Sequence, residues 1–159
     1  MGVCFSKNKT EKKQQCLLHS LEKKEQDKDV YPELFSCSVV YVNDGSSINV
    51  RARLKKTTAF YQFTLCPAGL LFANSRSMCS YERECALLTK MFVRKNLLGK
   101  EISTRITGRT QRGKLLAMIV CGNFNLNREL KRLGFACDLS HDKNIDYSNR
   151  LKGINPFCL

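Results

Sequence analysis

From residue 36 the chain alternates apolar and polar positions, stops at a turn and starts again. SCSVVYVN (36–43) is β-branched and aromatic, and Asp44-Gly45 is a turn signal. In SSINVRARL (46–54), Ile48, Val50, Ala52 and Leu54 share one face and Asn49, Arg51 and Arg53 the other. The two runs predict a β-hairpin. After KKTT, AFYQFTL (59–65) predicts a third strand ended by Cys66-Pro67, and PAGLLFANSRS (67–77) predicts a loop. The period then changes to that of a helix over MCSYERECALLTKMFVRKNLLG (78–99). There Cys85, Leu88, Met91, Phe92 and Lys95 recur at helical spacing, and Gly99 is a natural end. EISTRIT (101–107) alternates again, with Ile102, Thr104 and Ile106 on one side. A basic turn, GRTQRG, leads into the apolar strand KLLAMIVCG (114–122). NFNLNRELKRLGFA (123–136) predicts a short helix with Leu126, Leu130 and Leu133 facing inward and Gly134 closing it.

The order is β-β-β-α-β-β-α. Five strands with a helix between the third and fourth form an α+β arrangement, that of an OB-type Greek-key barrel, here with a further helix at the domain's C-terminal end. The domain is expected over 31–137. Before it, QQCLLHSLEKKEQDKD (14–29) is either a short helix, with Cys16, Leu17, Leu18 and Leu21 on one side, or plain linker. Residues 138–159 are expected to be a polar, loosely packed tail.

Composition supports a folded domain with short flanks: 159 residues, 43% hydrophobic and 9% aromatic. No apolar run approaches the roughly 20 residues of a transmembrane helix, and no signal-peptide core precedes the domain. A cytosolic-face location is therefore expected. The nine cysteines are an odd count at irregular spacing. There is no C-x-x-C, Cys79 and Cys85 stand six apart, and His19 and His141 lie in the flanks. Free thiols acting as small hydrophobes are expected rather than disulfides or a zinc site.

The net charge is +13, spread unevenly: +2 over 1–29, +11 over 30–137 and zero over 138–159. A body this basic suits a polyanion, either nucleic acid or an anionic lipid surface, unless it is simply a Lys/Arg-rich solvated surface. The opening MGVCFS fits the N-myristoylation pattern, with acylation at Gly2. One myristoyl chain holds a membrane with an association constant of only about 10⁴ M⁻¹, so a second signal is needed. Cys4 offers a palmitoylation site, and Lys7, Lys9, Lys12 and Lys13 offer electrostatic attraction to anionic lipid. The C-terminal NPFCL is not a prenylation box, because Cys158 is second from last.

The stretch YERECALLTKMFVRKNLLGKEISTRI and the later QRGKLLAMIVCGNFNLNRELKRLGFA resemble the second half of staphylococcal nuclease-like (thermonuclease) domains. The nearest likeness is LNRELKRLGFA (126–136), of the form N-x-x-L-x-x-x-G-x-A. The NDGSS turn (43–47) falls where that family carries D-G-D-T. The resemblance implies a fold that hydrolyses DNA and RNA phosphodiesters with one Ca²⁺, held by aspartates, with a glutamate base and two phosphate-binding arginines. Carboxylates are the hard oxygen ligands Ca²⁺ prefers, and guanidinium forks match phosphate.

Carried over residue by residue, the resemblance leaves only Asp44 of the metal ligands. The second aspartate of the turn is Ser46, the one after the third strand is Leu65, the glutamate is Ala68 and one arginine is Phe60. The other arginine corresponds to Arg112 or Lys114. Loss of the metal and base positions leads to an expectation of no catalytic residues, no metal and no cofactor. The expected function is a membrane-tethered, inactive module binding a polyanion or an acidic protein partner through Arg51, Arg53, Lys55, Lys56, Arg109, Arg112 and Lys114. Those cations are expected to converge toward one rim. Tyr41, Phe60 and Tyr61 either fill the core or stack on bases of a single strand. Two other readings compete: an active Ca²⁺-dependent membrane-bound nuclease drawing ligands from Glu82 or Glu84, and a membrane-associated scaffold or assembly protein.

Overall fold

A computed structural model describes residues 31–139 and 146–154. Five strands close into a mixed barrel: β1 (Leu34–Asp44), β2 (Ser47–Leu54), β3 (Phe60–Pro67), β5 (Glu101–Arg109) and β6 (Leu115–Cys121). The hydrogen-bonded order β3-β2-β1-β5-β6 returns on itself through a parallel β3–β6 pairing, while the other barrel pairs are antiparallel. This is an OB-like α+β fold, with helix α1 (Ser80–Leu97) lying between the third and fourth barrel strands. β4 (Leu70–Phe72), β7 (Phe124–Asn125), helix α2 (Leu126–Arg132), β8 (Ala136–Asp138) and helix α3 (Tyr147–Gly153) complete it.

The alternating pattern fills the barrel as expected. Val39 and Val42 from β1, Ile48, Val50 and Ala52 from β2, Leu65 from β3, and Leu115, Ala117 and Ile119 from β6 are all buried. Burial pushes the Cys37 thiol up to about 12, so this cysteine behaves as a small apolar core side chain. The glycine signals also hold. Gly99 and Gly134 take left-handed φ values of 75° and 77° just beyond α1 and α2.

Helix α1 is rotated relative to the expected register. Its buried face is Cys85, Ala86, Thr89, Phe92, Val93 and Leu97, whereas Met91 and Lys95 are exposed. Thr89 sits in the core because its hydroxyl donates to the Cys85 carbonyl at 2.6 Å, satisfying the one polar group that burial would otherwise strand. Phe92 stacks on Phe135 with ring centroids 4.7 Å apart, tying α1 to the segment after α2.

The hairpin tip between β1 and β2 touches α1 directly. A Cβ on Gly45 would stand 2.3 Å from Thr89 Cγ2. Neither Gly45 nor Ser46 has a positive φ, so this glycine provides clearance rather than the left-handed turn its sequence suggests.

The segment expected as a loose tail is not loose where the structure describes it. Cys137 and Asp138 pair with Leu71 and Leu70, Asp146 caps α3 through the Ser148 and Asn149 amides, and Ile154 enters the core at 5% exposure.

The β3–β6 seam runs for only three residue pairs, Leu65↔Leu115, Cys66↔Leu116 and Pro67↔Ala117. Beyond it, Ala68 N donates to the Ala117 carbonyl at 2.9 Å, and buried Asn127 reinforces the seam. Its Oδ1 accepts from Ile119 N at 3.0 Å, and its Nδ2 donates to the carbonyls of Ala68 and Ala117, both at 3.1 Å. Asn127→Ala would remove the side-chain partner of Ile119 N and of the Ala68 carbonyl, while the Ala117 carbonyl keeps its bond from Ala68 N at 2.9 Å. It should lower unfolding free energy by about 2–4 kcal/mol, measurable by urea denaturation.

Candidate functional site

Alternation along β2 and β3 turns Asn49, Arg51, Arg53, Phe60, Gln62 and Thr64 to the outside of the barrel. Registry with β1 arranges them in three cross-strand rows. Asn49 lies between Tyr41 and Thr64, Arg51 between Ser38 and Gln62, and Arg53 between Phe35 and Phe60. Tyr41 is 56% exposed and Phe60 45%, so two of the three singled-out aromatics stand on the surface. Tyr61 turns the other way and packs against Phe63, ring centroids 6.5 Å apart.

The Phe60 ring is flanked by cations. The Arg51 guanidinium lies 4.6 Å from its centroid and that of Arg53 5.6 Å. Arg53 is also held by a 2.9 Å bond from Nη2 to Ser36 Oγ, at a break in the β1–β2 ladder where Ser36 takes φ 47°. One row away, Asn49 Oδ1 accepts from Asn43 Nδ2 at 2.9 Å and from Thr64 Oγ1 at 3.0 Å. These bonds orient the amide, and no acceptor among the described residues takes its N–H donors.

The β5–β6 loop supplies more positive charge. Lys114 immediately precedes Leu115, whose pairing with Leu65 opens the parallel β3–β6 seam. Arg112 is exposed at the loop tip, shaped by Gly113 at φ 76° and by Lys114 N donating to Thr110 Oγ1 at 3.1 Å. Arg109 ends β5 at the base of this loop. Cys66 lies within electrostatic reach: burial pushes its thiol up, Lys114 opposes this and Asp44 adds to it. Among the described residues, Arg51, Arg53, Arg112 and Lys114 have no carboxylate partner.

The seven expected contact residues do not gather at one rim. Ile48↔Leu65, near the β5–β6 loop, and Arg53↔Phe60 mark opposite ends of the β2–β3 ladder. Lys55 and Lys56 occupy the turn at the Arg53 end, where Lys55 Nζ pairs with Glu33 at 2.9 Å. The other five cations follow the outer face toward the β5–β6 loop. Phe60 as the platform between two arginines was hidden in the sequence, because it requires the pairing register of β2 with β3.

The residues do not fit the Ca²⁺ site that the nuclease resemblance implies. Asp44 Oδ1 is occupied by the turn, accepting from Ser46 N at 2.9 Å, Ser46 Oγ at 2.8 Å and Ser47 Oγ at 2.9 Å. Leu65 is fully buried inside the barrel, and the Ala68 carbonyl is held by Asn127. A cavity of about 200 Å³ beside Asp44, lined also by Ser46, Phe72, Asn74 and Thr89, contains no second carboxylate. Glu82 instead accepts from Asn74 N at 2.9 Å, and hydrogen bonds hold its carboxyl below the ordinary range despite opposing desolvation. Among the described residues, no three His, Cys, Asp or Glu side chains group as a metal site would need.

Gly2, Cys4, Lys7, Lys9, Lys12 and Lys13 lie outside the described residues, as do 14–29 and His141. Among the described residues no helix is long and apolar enough to cross a membrane. Compared with known proteins, the chain matches no family model and no curated sequence.

Asp44→Ala should lower stability by about 1–3 kcal/mol through loss of the turn clamp. Millimolar Ca²⁺ should leave the melting temperature of both proteins unchanged, since a ligand stabilises only where a folded site binds it. Differential scanning fluorimetry with and without Ca²⁺ reads both effects.

Proposed function

We propose that this protein is a non-catalytic, OB-type module of nuclease-like ancestry that binds single-stranded nucleic acid while tethered to a membrane by its N-terminus. The carrying observation is the exposed Phe60 ring flanked by Arg51 and Arg53, on the same outer face as Tyr41 and Asn49. Aromatic faces stack on bases whatever their sequence, and adjacent guanidinium groups neutralise phosphates. Barrels of this type commonly bind oligonucleotides on the second and third strands and on the loop joining the fourth and fifth. Here that loop carries Arg112 and Lys114.

The nuclease-like part of the reading rests on element order and on 126–136. Asn127 and Leu130 are buried there, and Gly134 makes the left-handed turn into Phe135 and Ala136. The non-catalytic part rests on the missing carboxylates. The tether rests on MGVCFS and the four lysines after it.

Single-strand binding should be strongly salt dependent. Four phosphate contacts, from Arg51, Arg53, Arg112 and Lys114, imply that affinity for a poly-dT oligonucleotide falls about fiftyfold between 50 and 200 mM salt. Fluorescence anisotropy should show Phe60→Ala weakening binding by about 1–3 kcal/mol with little change in salt slope. Arg51→Gln should reduce the slope by about 0.7, and Lys55→Gln should change neither. Absent or salt-insensitive binding would transfer the face to a protein partner.

For the tether, intact mass of protein made in eukaryotic cells should show loss of Met1 and gain of a myristoyl group. Gly2→Ala should move the protein from the membrane to the soluble fraction.

A further inference from the structure

Helix α1 presents an apolar ridge to the outside. Leu87 is 56% exposed, Met91 49%, and Leu98, at the C-cap, 37%. At about 100° per residue these three side chains fall within roughly 40° of one another around the helix axis. The opposite face, through Cys85, Phe92, Val93 and Leu97, is fixed in the core, so the ridge cannot turn inward. Leu87 and Leu98 are about 16 Å apart along the axis.

The charges beside the ridge indicate what would cover it. Lys90 and Arg94 lie to one side, and Lys95 to the other. Arg83 also lies on the first side, its Nη1 donating to the backbone carbonyls of Ser77 and Met78 at 2.8 and 2.9 Å. Glu84 is the one acid near the ridge on that helix. Leucine and methionine above a predominantly cationic border match a lipid surface, where apolar tips enter the headgroup boundary and Lys/Arg stay with anionic headgroups. A second copy of this chain would instead set cations against cations.

We propose that the outer face of α1, with Leu87, Met91 and Leu98 inserting and Lys90, Arg94 and Lys95 flanking them, docks on an anionic bilayer surface. This deepens the membrane half of the function given above. It uses none of the N-terminal residues, and none of Arg51, Phe60 or Tyr41. It adds a second contact of the kind that a single acyl chain requires.

The test uses full-length, non-acylated Gly2→Ala protein and sedimentation with vesicles of phosphatidylcholine, with and without 30% phosphatidylserine (about the range of an anionic leaflet). The protein should bind the anionic vesicles and not the neutral ones. Leu87→Gln with Met91→Gln should weaken partitioning at least tenfold. Lys90→Gln with Arg94→Gln should weaken it about fivefold per charge removed. All four sites are exposed or partly exposed, so unchanged melting temperatures and unchanged oligonucleotide affinity should accompany these losses. Equal vesicle binding by the variants and the parent would overturn the proposal. So would a concentration-dependent dimer that the apolar pair abolishes, because the ridge would then serve self-association. Loss of myristate in cells, or failure to bind oligonucleotide, would leave this result untouched and count only against the earlier reading.

Discussion

The buried amide of Asn127 braces the seam at which the barrel closes. A three-strand meander, β1–β2–β3, and a hairpin, β5–β6, each have long internal ladders but meet along short seams. At one seam β3 ends in Pro67, which has no N–H to continue a ladder. Ala68 N still donates to the Ala117 carbonyl at 2.9 Å, and the side chain of Asn127 extends the bonding from there, meeting Ile119 N and the carbonyls of Ala68 and Ala117. Burial of this amide is tolerable because its oxygen and nitrogen are both bonded. The same bonds seat α2 against β6. The seam begins one residue after Lys114, so the end of the β5–β6 loop is anchored where the barrel closes.

The outer face and the turn divide their polar residues by role. Asp44 serves the backbone and hydroxyls of its own hairpin tip, and its charge is committed there. Arg53 is braced by Ser36 and Phe60, whereas Arg51 has the ring and, among the described residues, no carboxylate. A guanidinium positioned by an aromatic face keeps its N–H edge available to phosphate while losing little side-chain freedom on binding.

Much of this was legible in the chain. Strict alternation in 46–54 placed Arg51 and Arg53 outside and Ile48, Val50 and Ala52 inside, because a period of two leaves no ambiguity about faces. Other parts were not. β4, β7 and β8 span two or three residues and show no period. The face of α1 was misread because buried Thr89 counts as polar by type although its hydroxyl bonds to the helix backbone, while Met91 counts as apolar although it faces outward. α3 was hidden by a polar sequence whose anchoring residue, Ile154, stands just beyond the helix. Lys55 and Lys56 follow the arginines in sequence but lie around a turn, paired at Lys55 with Glu33.

The close approach of Gly45 to Thr89 has a mechanical consequence. With no methyl's width between the hairpin tip and the helix, the two cannot slide past one another without breaking a close-packed contact. The β1–β2 ribbon and α1 therefore behave as one stiff body. A load applied along the helix would be borne by the whole ribbon, and the tyrosine and asparagine it carries would tilt together as a rigid plate.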